Sequence, residues 1–242
     1  FVGIDNYMPL SDWRDGFDHL DAQAGANSIY DAGYLRGNVE GGEGFDWYYA
    51  SDADRAAQDR TEITDGAAGK PWVFRYKDVR SWWSNQHFNR PGGVESATAT
   101  AWVPQSKPIR FTEIGCAAID RASNQPNVFV DPKSSESFAP YFSRGWRDDS
   151  IQRCYLEAVY AHWSDEANNP ESSVYSGRMI EVDECAAWCW DVRPYPFFPN
   201  LSDVWADGAN WRLGHWLTGR LGSVSLRALL RNLCAASGLP AD

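Results

Sequence analysis

IRFTEIGC, at residues 109–116, is a short apolar run that becomes polar toward its end. Two other runs share this form: FVGIDNY at 1–7, and AAWCW at 186–190, which is followed by DVRPYPFFP. Short apolar runs alone do not separate strand from helix. Their length, and the Pro, Asp and Asn residues that follow them, favour strands. The sequence therefore predicts three buried parallel strands.

Helical patterns lie between and after these runs. The predicted helices span 28–38, 52–58, 147–163, 211–221 and 225–236. Strands separated by helices indicate an α/β fold with a parallel sheet. The segment 8–108 is much longer than a simple crossover between parallel strands requires. We therefore predict one domain over 1–242, with a large insertion at roughly residues 40–106.

Composition narrows the classes of partner. The formal net charge is −11, which disfavours nucleic acid and anionic membrane surfaces because their phosphates would be repelled. The 13 Trp residues suit a Trp-rich core, and they also suit a cleft in which flat rings stack on sugars. No apolar run is long enough to span a membrane. No signal peptide is visible. Because FVGI opens the chain inside an apolar run, we expect a piece of a longer protein.

The sequence lacks the usual signatures of metal and cofactor sites. The five cysteines form no CxxC pair, and the four His residues show no metal-ligand spacing. Nucleotide-binding glycine patterns and a GxSxG elbow are also missing. We predict reduced cysteines, no metal and no cofactor.

Glu113 is the strongest catalytic candidate. Active sites of parallel α/β folds lie at the carboxyl ends of strands, where Glu113 follows Phe111 and Thr112. A buried carboxylate without a partner is costly. Glu113 therefore has either a catalytic role or an ion-pair partner, and the alternatives are the arginines Arg75, Arg110 and Arg193.

Other strand-end residues are candidates for substrate binding. Glycoside hydrolysis needs two carboxyl groups flanking one bond, and the possible second members are Asp5, Asp191, Glu43 and Asp46. Asp5 suits substrate orientation better than acid catalysis, and Asp191 suits pairing with Arg193. The predicted substrate-binding residues are Trp190, Tyr7, Asn6, Asp5 and Asp191. Trp190 forms either a sugar platform or barrel packing, Tyr7 is a candidate to orient the nucleophile, and surface packing is the favoured role for Trp82 and Trp83.

The sequence contains long, distinctive strings: FVGIDNYMPLSDWRDG (1–16), EGGEGFDWYYASDADRAAQ (40–58), KPWVFRYKDVRSWWSN (70–85), SKPIRFTEIGCAAID (106–120), NQPNVFVDPKSSES (124–137), WCWDVRPYPFFP (188–199) and DVWADGANWRLGHWLTGRLG (203–222). Through these strings the chain resembles the gene transfer agent and phage-tail TIM-barrel-like domain family, described as glycoside hydrolase/phage tail proteins.

The resemblance implies a TIM (β/α)8 barrel similar to retaining glycosidases, of which this chain is the C-terminal part. The three runs become about strands 6–8, with the insertion between strands 6 and 7. Glu113 occupies the nucleophile position, and the acid/base of the pattern ends strand 4, before Phe1. Three strands do not close an eight-stranded barrel.

Three hypotheses about function follow. The first is a glycosidase that acts on cell-surface polysaccharide or peptidoglycan glycan, made in the bacterial cytoplasm and built into the tail of a phage-like particle beside other tail or baseplate subunits. The second is a catalytically silent carbohydrate-binding or structural module of the tail tip or baseplate hub, because a fold alone does not fix function. The third is an unrelated small-molecule α/β enzyme, which the lack of cofactor motifs disfavours.

Overall fold

The protein is described here by a computed structural model that covers residues 1–129, 138–188, 196–205 and 208. Several sequence-based predictions lie outside these residues: Trp190, Asp191, Arg193 and the helices at 211–221 and 225–236.

Two of the predicted strands form a parallel pair. Strand β1 is Val2–Asn6 and strand β4 is Ile109–Ile114, and the two are hydrogen-bonded neighbours. The amide N–H of Val2 also donates to the carbonyl of Pro108 at 2.7 Å. The parallel pairing predicted from the apolar runs is therefore confirmed for these two strands.

The third run lies on the other side of β4. Parallel bridges join Ile109 to Ile180 and Ile114 to Ala187. Next to the Ile114–Ala187 bridge the two backbones approach closely. A Cβ added to Gly115 would lie only 2.3 Å from the carbonyl oxygen of Trp188. A glycine is needed at 115 for this contact. The spatial order is thus β1, β4 and then the third segment, all running in the same direction.

A long helix covers one face of this sheet. Helix α5 is Asp149–Ser164, and Asp148 caps it by accepting hydrogen bonds from the amides of Ser150 and Ile151. Its buried residues recur at helical spacing and are Ile151, Tyr155, Ala158, Val159, His162 and Trp163. They belong to the same core as Ile109 and Phe111 of β4. The predicted helix at 147–163 is confirmed, with ends shifted by one or two residues.

The opposite face of the sheet is open, which corrects the prediction of fully buried strands. Gly3 and Asp5 of β1 and Thr112 of β4 are exposed. Within the residues that the structure describes, no layer covers this face and β1 pairs on one side only. Consequently only the side chains on the helix-covered face of the strands are buried. The described part of the chain forms no closed barrel.

The segment between β1 and β4 folds into small elements. These are α1 (Leu20–Gln23), α2 (Ala32–Gly37), β2 (Trp47–Tyr48), α3 (Asp52–Ala57), β3 (Thr61–Glu62), a 3-10 helix (Pro71–Val73), α4 (Val79–Ser84) and a second 3-10 helix (Pro91–Gly93). Strands β2 and β3 form a two-stranded antiparallel sheet. After β4 come 3-10 helices at Ala122–Asn124 and Val182–Glu184, and α6 at Phe197–Asn200.

One predicted helix in this segment was too long. The span 28–38 is helical only over Ala32–Gly37, because the carboxylate of Asp31 caps the amide of Tyr34 and fixes the start there. The helix predicted at 52–58 is confirmed as α3, which ends where Gln58 adopts a left-handed conformation.

Trp82, Trp83 and two of the histidines have structural positions. Surface packing, the role favoured for Trp83, is wrong: its side chain is fully buried in the core and donates from Nε1 to the carbonyl of Lys107. Trp82 packs with His87 and Trp102 in an aromatic cluster away from the strand ends. His162 is buried against Glu40, with Nε2 and Oε2 3.0 Å apart. Cys116, Cys154 and Cys185 are free thiols. No described helix is long and apolar enough to cross a membrane.

Lys77 joins two parts of the segment between β1 and β4, the loop after β1 and the turn at Gly41. Its side chain is fully buried, and Nζ donates to the carbonyls of Pro9 at 2.5 Å and Gly41 at 2.7 Å. Burial lowers the pKa of this ammonium group to about 7, although Glu43 and Asp46 oppose that shift. Because burial favours the neutral amine, protonated Lys77 is destabilised in the folded state relative to the unfolded chain.

This pKa predicts a pH dependence of stability. Between pH 7 and 10.5 the unfolded chain binds more protons at Lys77 than the folded protein does, so stability rises with pH across that window. We expect Lys77 to add up to about 1.4 kcal/mol per pH unit to the slope of the unfolding free energy. Urea titrations of wild type, Lys77→Met and the exposed control Lys107→Met measure it. Equal slopes in all three proteins would contradict the assignment.

Candidate active site

A β-bulge determines which way Glu113 faces. The register pairs Ile4 with Phe111 but Asp5 with Glu113, so Thr112 is the extra residue. A bulge changes the alternation of side chains along a strand and commonly re-aims one beside a functional site. Here it brings Glu113 opposite Asp5 on the neighbouring strand. The hydroxyl of Thr112 donates to Asp5 Oδ1 at 2.7 Å and holds that carboxylate in place.

Glu113 is bound by a tyrosine and by no arginine of the described residues. The hydroxyl of Tyr7 donates to Glu113 Oε2 with an O–O distance of 2.5 Å. Two of the arginines considered as partners are engaged elsewhere, since Arg110 pairs with Glu181 and Arg75 lies 3.9 Å from Asp78. The ion-pair alternative therefore fails for Arg75 and Arg110. The side chain of Glu113 is half-buried.

A cleft of about 420 Å³ opens beside these strand ends. It is lined by Asp5, Tyr7, Met8, Pro9, Glu43, Arg55, Tyr76, Asn124, Gln125, Pro126, Asn127 and Tyr141. Glu113 is not itself part of this lining, and Tyr7 connects its carboxylate to the cleft. One wall therefore comes from β1 and the loop after it, and the others come from residues 43–76, between β1 and β4, and from the segment after β4.

Asn124 fixes the wall that follows β4. Its side-chain amide donates to the carbonyls of Trp13 and Tyr141, and its Oδ1 accepts from the hydroxyl of Ser11 and the amide of Trp13. Because Asn124 is almost fully buried, these bonds join three distant parts of the chain in one position. The loop 124–127 is thereby set against the loop after β1.

The carboxylates considered as a second catalytic group occupy different environments. Glu43 lines the cleft but forms a bidentate pair with Arg55, with oxygen–nitrogen distances of 2.6 and 2.9 Å. Arg55 in turn stacks on Tyr141, with its guanidinium carbon 3.9 Å from the ring centroid. Asp46 accepts from the amide of Gly42. Of the three candidates that the structure describes, Asp5 alone both lines the cleft and pairs with Glu113 across the strands.

A second cavity of about 470 Å³ shares Pro9 and Glu43 with the cleft. Arg60 lines it and bridges two buried carboxylates, at 2.9 Å from Asp12 and 2.5 Å from Asp21. Burial alone would raise the pKa of Asp21, but the hydrogen bonds from Tyr34 and Arg60 outweigh it and lower that pKa. These ion pairs make the floor of the second cavity a rigid network.

The structure places the predicted site residues as follows. Tyr7 and Asp5 line the cleft, and Tyr7 also contacts Glu113. Asn6 is buried, with Oδ1 accepting the amide of Met8, so its side chain supports the turn after β1. Trp190 and Asp191 lie outside the described residues. No group of three potential metal ligands occurs among the residues the structure describes.

Sequence reasoning missed part of the cleft. It did not single out Tyr76, Arg55, Tyr141 or the 124–127 loop as site residues. The aromatic stretch PWVFRY (71–76) and the polar string NQPN (124–127) carry a signal, but only long-range folding shows that they meet.

These observations define an α/β domain with polar side chains gathered at the ends of parallel strands. Residues 1–199 match the family model of the GTA TIM-barrel-like domain. The chain belongs to this gene transfer agent TIM-barrel-like domain family. No curated protein matches the chain significantly.

Proposed function

We propose that this domain hydrolyses glycosidic bonds of cell-surface polysaccharide or peptidoglycan glycan, by a retaining mechanism with Glu113 as the nucleophile. The observation that carries the proposal is the hydrogen bond from Tyr7 to Glu113 at the ends of adjacent parallel strands, beside an open cleft. Because the Tyr7 hydroxyl donates to Oε2 of Glu113, the other carboxylate oxygen, Oε1, is the one that attacks.

In barrel terms, β1, β4 and the segment around Ala187 correspond to strands 6, 7 and 8. The spatial order of the three parallel segments supports this numbering. It makes the residues between β1 and β4 the insertion, at roughly 40–106, and Glu113 then ends strand 7.

The reaction would proceed in two steps. Glu113 Oε1 forms a bond to the anomeric carbon while the glycosidic oxygen leaves with a proton from a carboxylic acid. Water then attacks the same carbon, the ester bond to Glu113 breaks, and the proton of the water returns to that acid group. Glu43 is an unsuitable acid because both of its oxygens already accept hydrogen bonds from Arg55. The resemblance assigns the acid to strand 4.

Replacing Tyr7 tests its support of the nucleophile. We expect Tyr7→Phe to lower kcat by about 10- to 100-fold with little change in KM, because a hydrogen bond to a charged group contributes about 1.5–3 kcal/mol. Tyr48→Phe, an exposed tyrosine of β2, is the control and should retain activity. Initial rates on the hydrolysed glycan measure both. An unchanged kcat for Tyr7→Phe would remove this residue from the mechanism.

The test of hydrolysis itself is release of reducing ends by the complete gene product. Purified peptidoglycan and capsular polysaccharide are the substrates, and the anomeric configuration of the first product is read by proton NMR. The proposal expects release with retention of configuration. Inversion would contradict the nucleophile role, and no release from any substrate would contradict hydrolysis.

A binding module is the second candidate. The specific observation in its favour is that Arg55 neutralises Glu43, the insertion's carboxylate in the cleft. Sugar binding without release of reducing ends is the outcome that would select this function.

The biological setting follows from family membership. We propose that the domain is made in the bacterial cytoplasm and built into the tail of a gene transfer agent or phage-like particle, beside other tail or baseplate subunits. Its acidity, with a net charge of −11, suits neutral glycans better than nucleic acid.

A further inference from the structure

We propose that Tyr76 is an aromatic platform on which the cleft binds one neutral pyranose of the glucose type. The inference rests on the proposed function in taking the cleft as a sugar site, and it adds the residue and the sugar geometry. Tyr76 lines the cleft and is 57% exposed. What separates Tyr76 from other exposed aromatic residues such as Phe74 is its place in the cleft lining, where burying apolar ring surface against a ligand is favourable.

The hydroxyl end of the Tyr76 ring packs against the backbone of Gly44. A Cβ added to Gly44 would lie 2.1 Å from Tyr76 Cζ, so the ring occupies the space that a side chain at 44 would fill. Gly44 also has a φ of +81°, which disfavours other residues. The Tyr76 ring therefore packs on the turn formed by residues 42–46.

Lys77 holds this turn and the neighbouring Tyr76 in place. The buried ammonium group holds the carbonyls of Pro9 and Gly41, and the Lys77 amide donates to the carbonyl of Gly44 at 3.3 Å. These bonds tie Tyr76 to the loop that follows β1 and carries Tyr7. A site held in place before the ligand arrives loses less entropy on binding.

The chemistry of the cleft indicates the class of sugar. A flat ring face suits a pyranose whose hydroxyl groups are equatorial, because such a sugar presents C–H groups on its faces. Asp5 and Glu43 line the same cleft as Tyr76 and offer carboxylate acceptors, and the guanidinium of Arg55 is already used by Glu43. Among the residues that the structure describes, the cleft therefore offers acceptors and no free cation, which favours uncharged, hydroxyl- or amide-rich sugars and disfavours uronates.

Calorimetric titration with tetra-N-acetylchitotetraose and cellotetraose tests the proposal. We expect Tyr76→Ala to weaken binding of the tighter probe about tenfold, which corresponds to about 1.4 kcal/mol. Tyr76→Phe keeps the ring and should bind within about twofold of wild type. Phe74→Ala is the matched control, because Phe74 is 54% exposed on the same segment but lies outside the cleft lining. Tetragalacturonate should not bind.

Several results would overturn the platform: no binding of either neutral probe to wild type at millimolar concentration, equal losses in Tyr76→Ala and Phe74→Ala, or a loss in Tyr76→Phe as large as in Tyr76→Ala. The titrations are repeated in a Glu113→Gln background, where turnover is removed. Binding that depends on Tyr76, in a protein that releases no reducing ends, would uphold the platform and contradict the hydrolase. Release of reducing ends that is insensitive to Tyr76→Ala would do the reverse.

Discussion

Glu113→Gln should lower the release of reducing ends by at least about a thousandfold while the protein stays folded. The amide keeps the shape of the side chain but is a very weak nucleophile, so the covalent step is lost. Tyr7 can still donate to the amide oxygen, which preserves the contact between β1 and β4. Initial rates on the glycan and thermal unfolding of both proteins are the measurements.

A second carboxylate near the sheet provides the control for this experiment. Glu181, on the third segment, pairs with Arg110 of β4, and its side chain is about one-third exposed. Glu181→Gln removes one carboxylate of similar chemistry and should leave the rate within about twofold, because surface ion pairs contribute little. Equal, nonzero rates in wild type and Glu113→Gln would exclude Glu113 from the reaction.

Arg60→Leu should destabilise the fold by about 3–5 kcal/mol. Arg60 is the cation shared by Asp12 and Asp21, and both carboxylates are buried. Removing one partner from a buried ion pair leaves an uncompensated charge, which is strongly unfavourable. Without Arg60 the pKa of Asp21 is lowered less, so the folded variant loses less stability through this group in acid, and its destabilisation relative to wild type should shrink as the pH falls through the pKa of Asp21. Urea denaturation at several pH values measures both effects.

The comparison for Arg60 is an ion pair at the surface. Arg36 lies 2.5 Å from Asp165, and both side chains are more than one-third exposed. Arg36→Leu should change the unfolding free energy by at most about 1 kcal/mol. If Arg60→Leu unfolds at the same urea concentration as Arg36→Leu, the ion pairs of Arg60 with Asp12 and Asp21 contribute no more to stability than a surface pair.

Local patterns were sufficient to predict the parallel strands and helix α5. The runs at 1–7 and 109–116 are apolar and short, and α5 has a clear helical stripe, so neighbouring residues alone determine these elements. The predicted helix at 28–38 begins too early. Asp31 is the N-cap residue, so the helix starts at Ala32. Burial of β1 was overestimated, since an apolar run does not reveal whether a second layer covers it.

The candidate site depended on contacts between distant residues. Glu113 and Tyr7 were singled out because each follows an apolar run, but their hydrogen bond joins residues 106 positions apart. The bulge at Thr112 is a property of the pairing with β1 and leaves no mark in the sequence of β4 alone. Tyr76 was overlooked for the same reason: its importance arises from Gly44 and Lys77, which place it in the cleft.

The most direct test of the nucleophile is to trap the covalent intermediate. A 2-deoxy-2-fluoro glycoside with a good leaving group slows hydrolysis of the glycosyl ester, and peptide mass spectrometry then locates the sugar. The expected result is a single adduct on the peptide that contains Glu113, absent from Glu113→Gln. An adduct on a different carboxylate, or turnover of the natural glycan with inverted configuration, would contradict the assignment of Glu113.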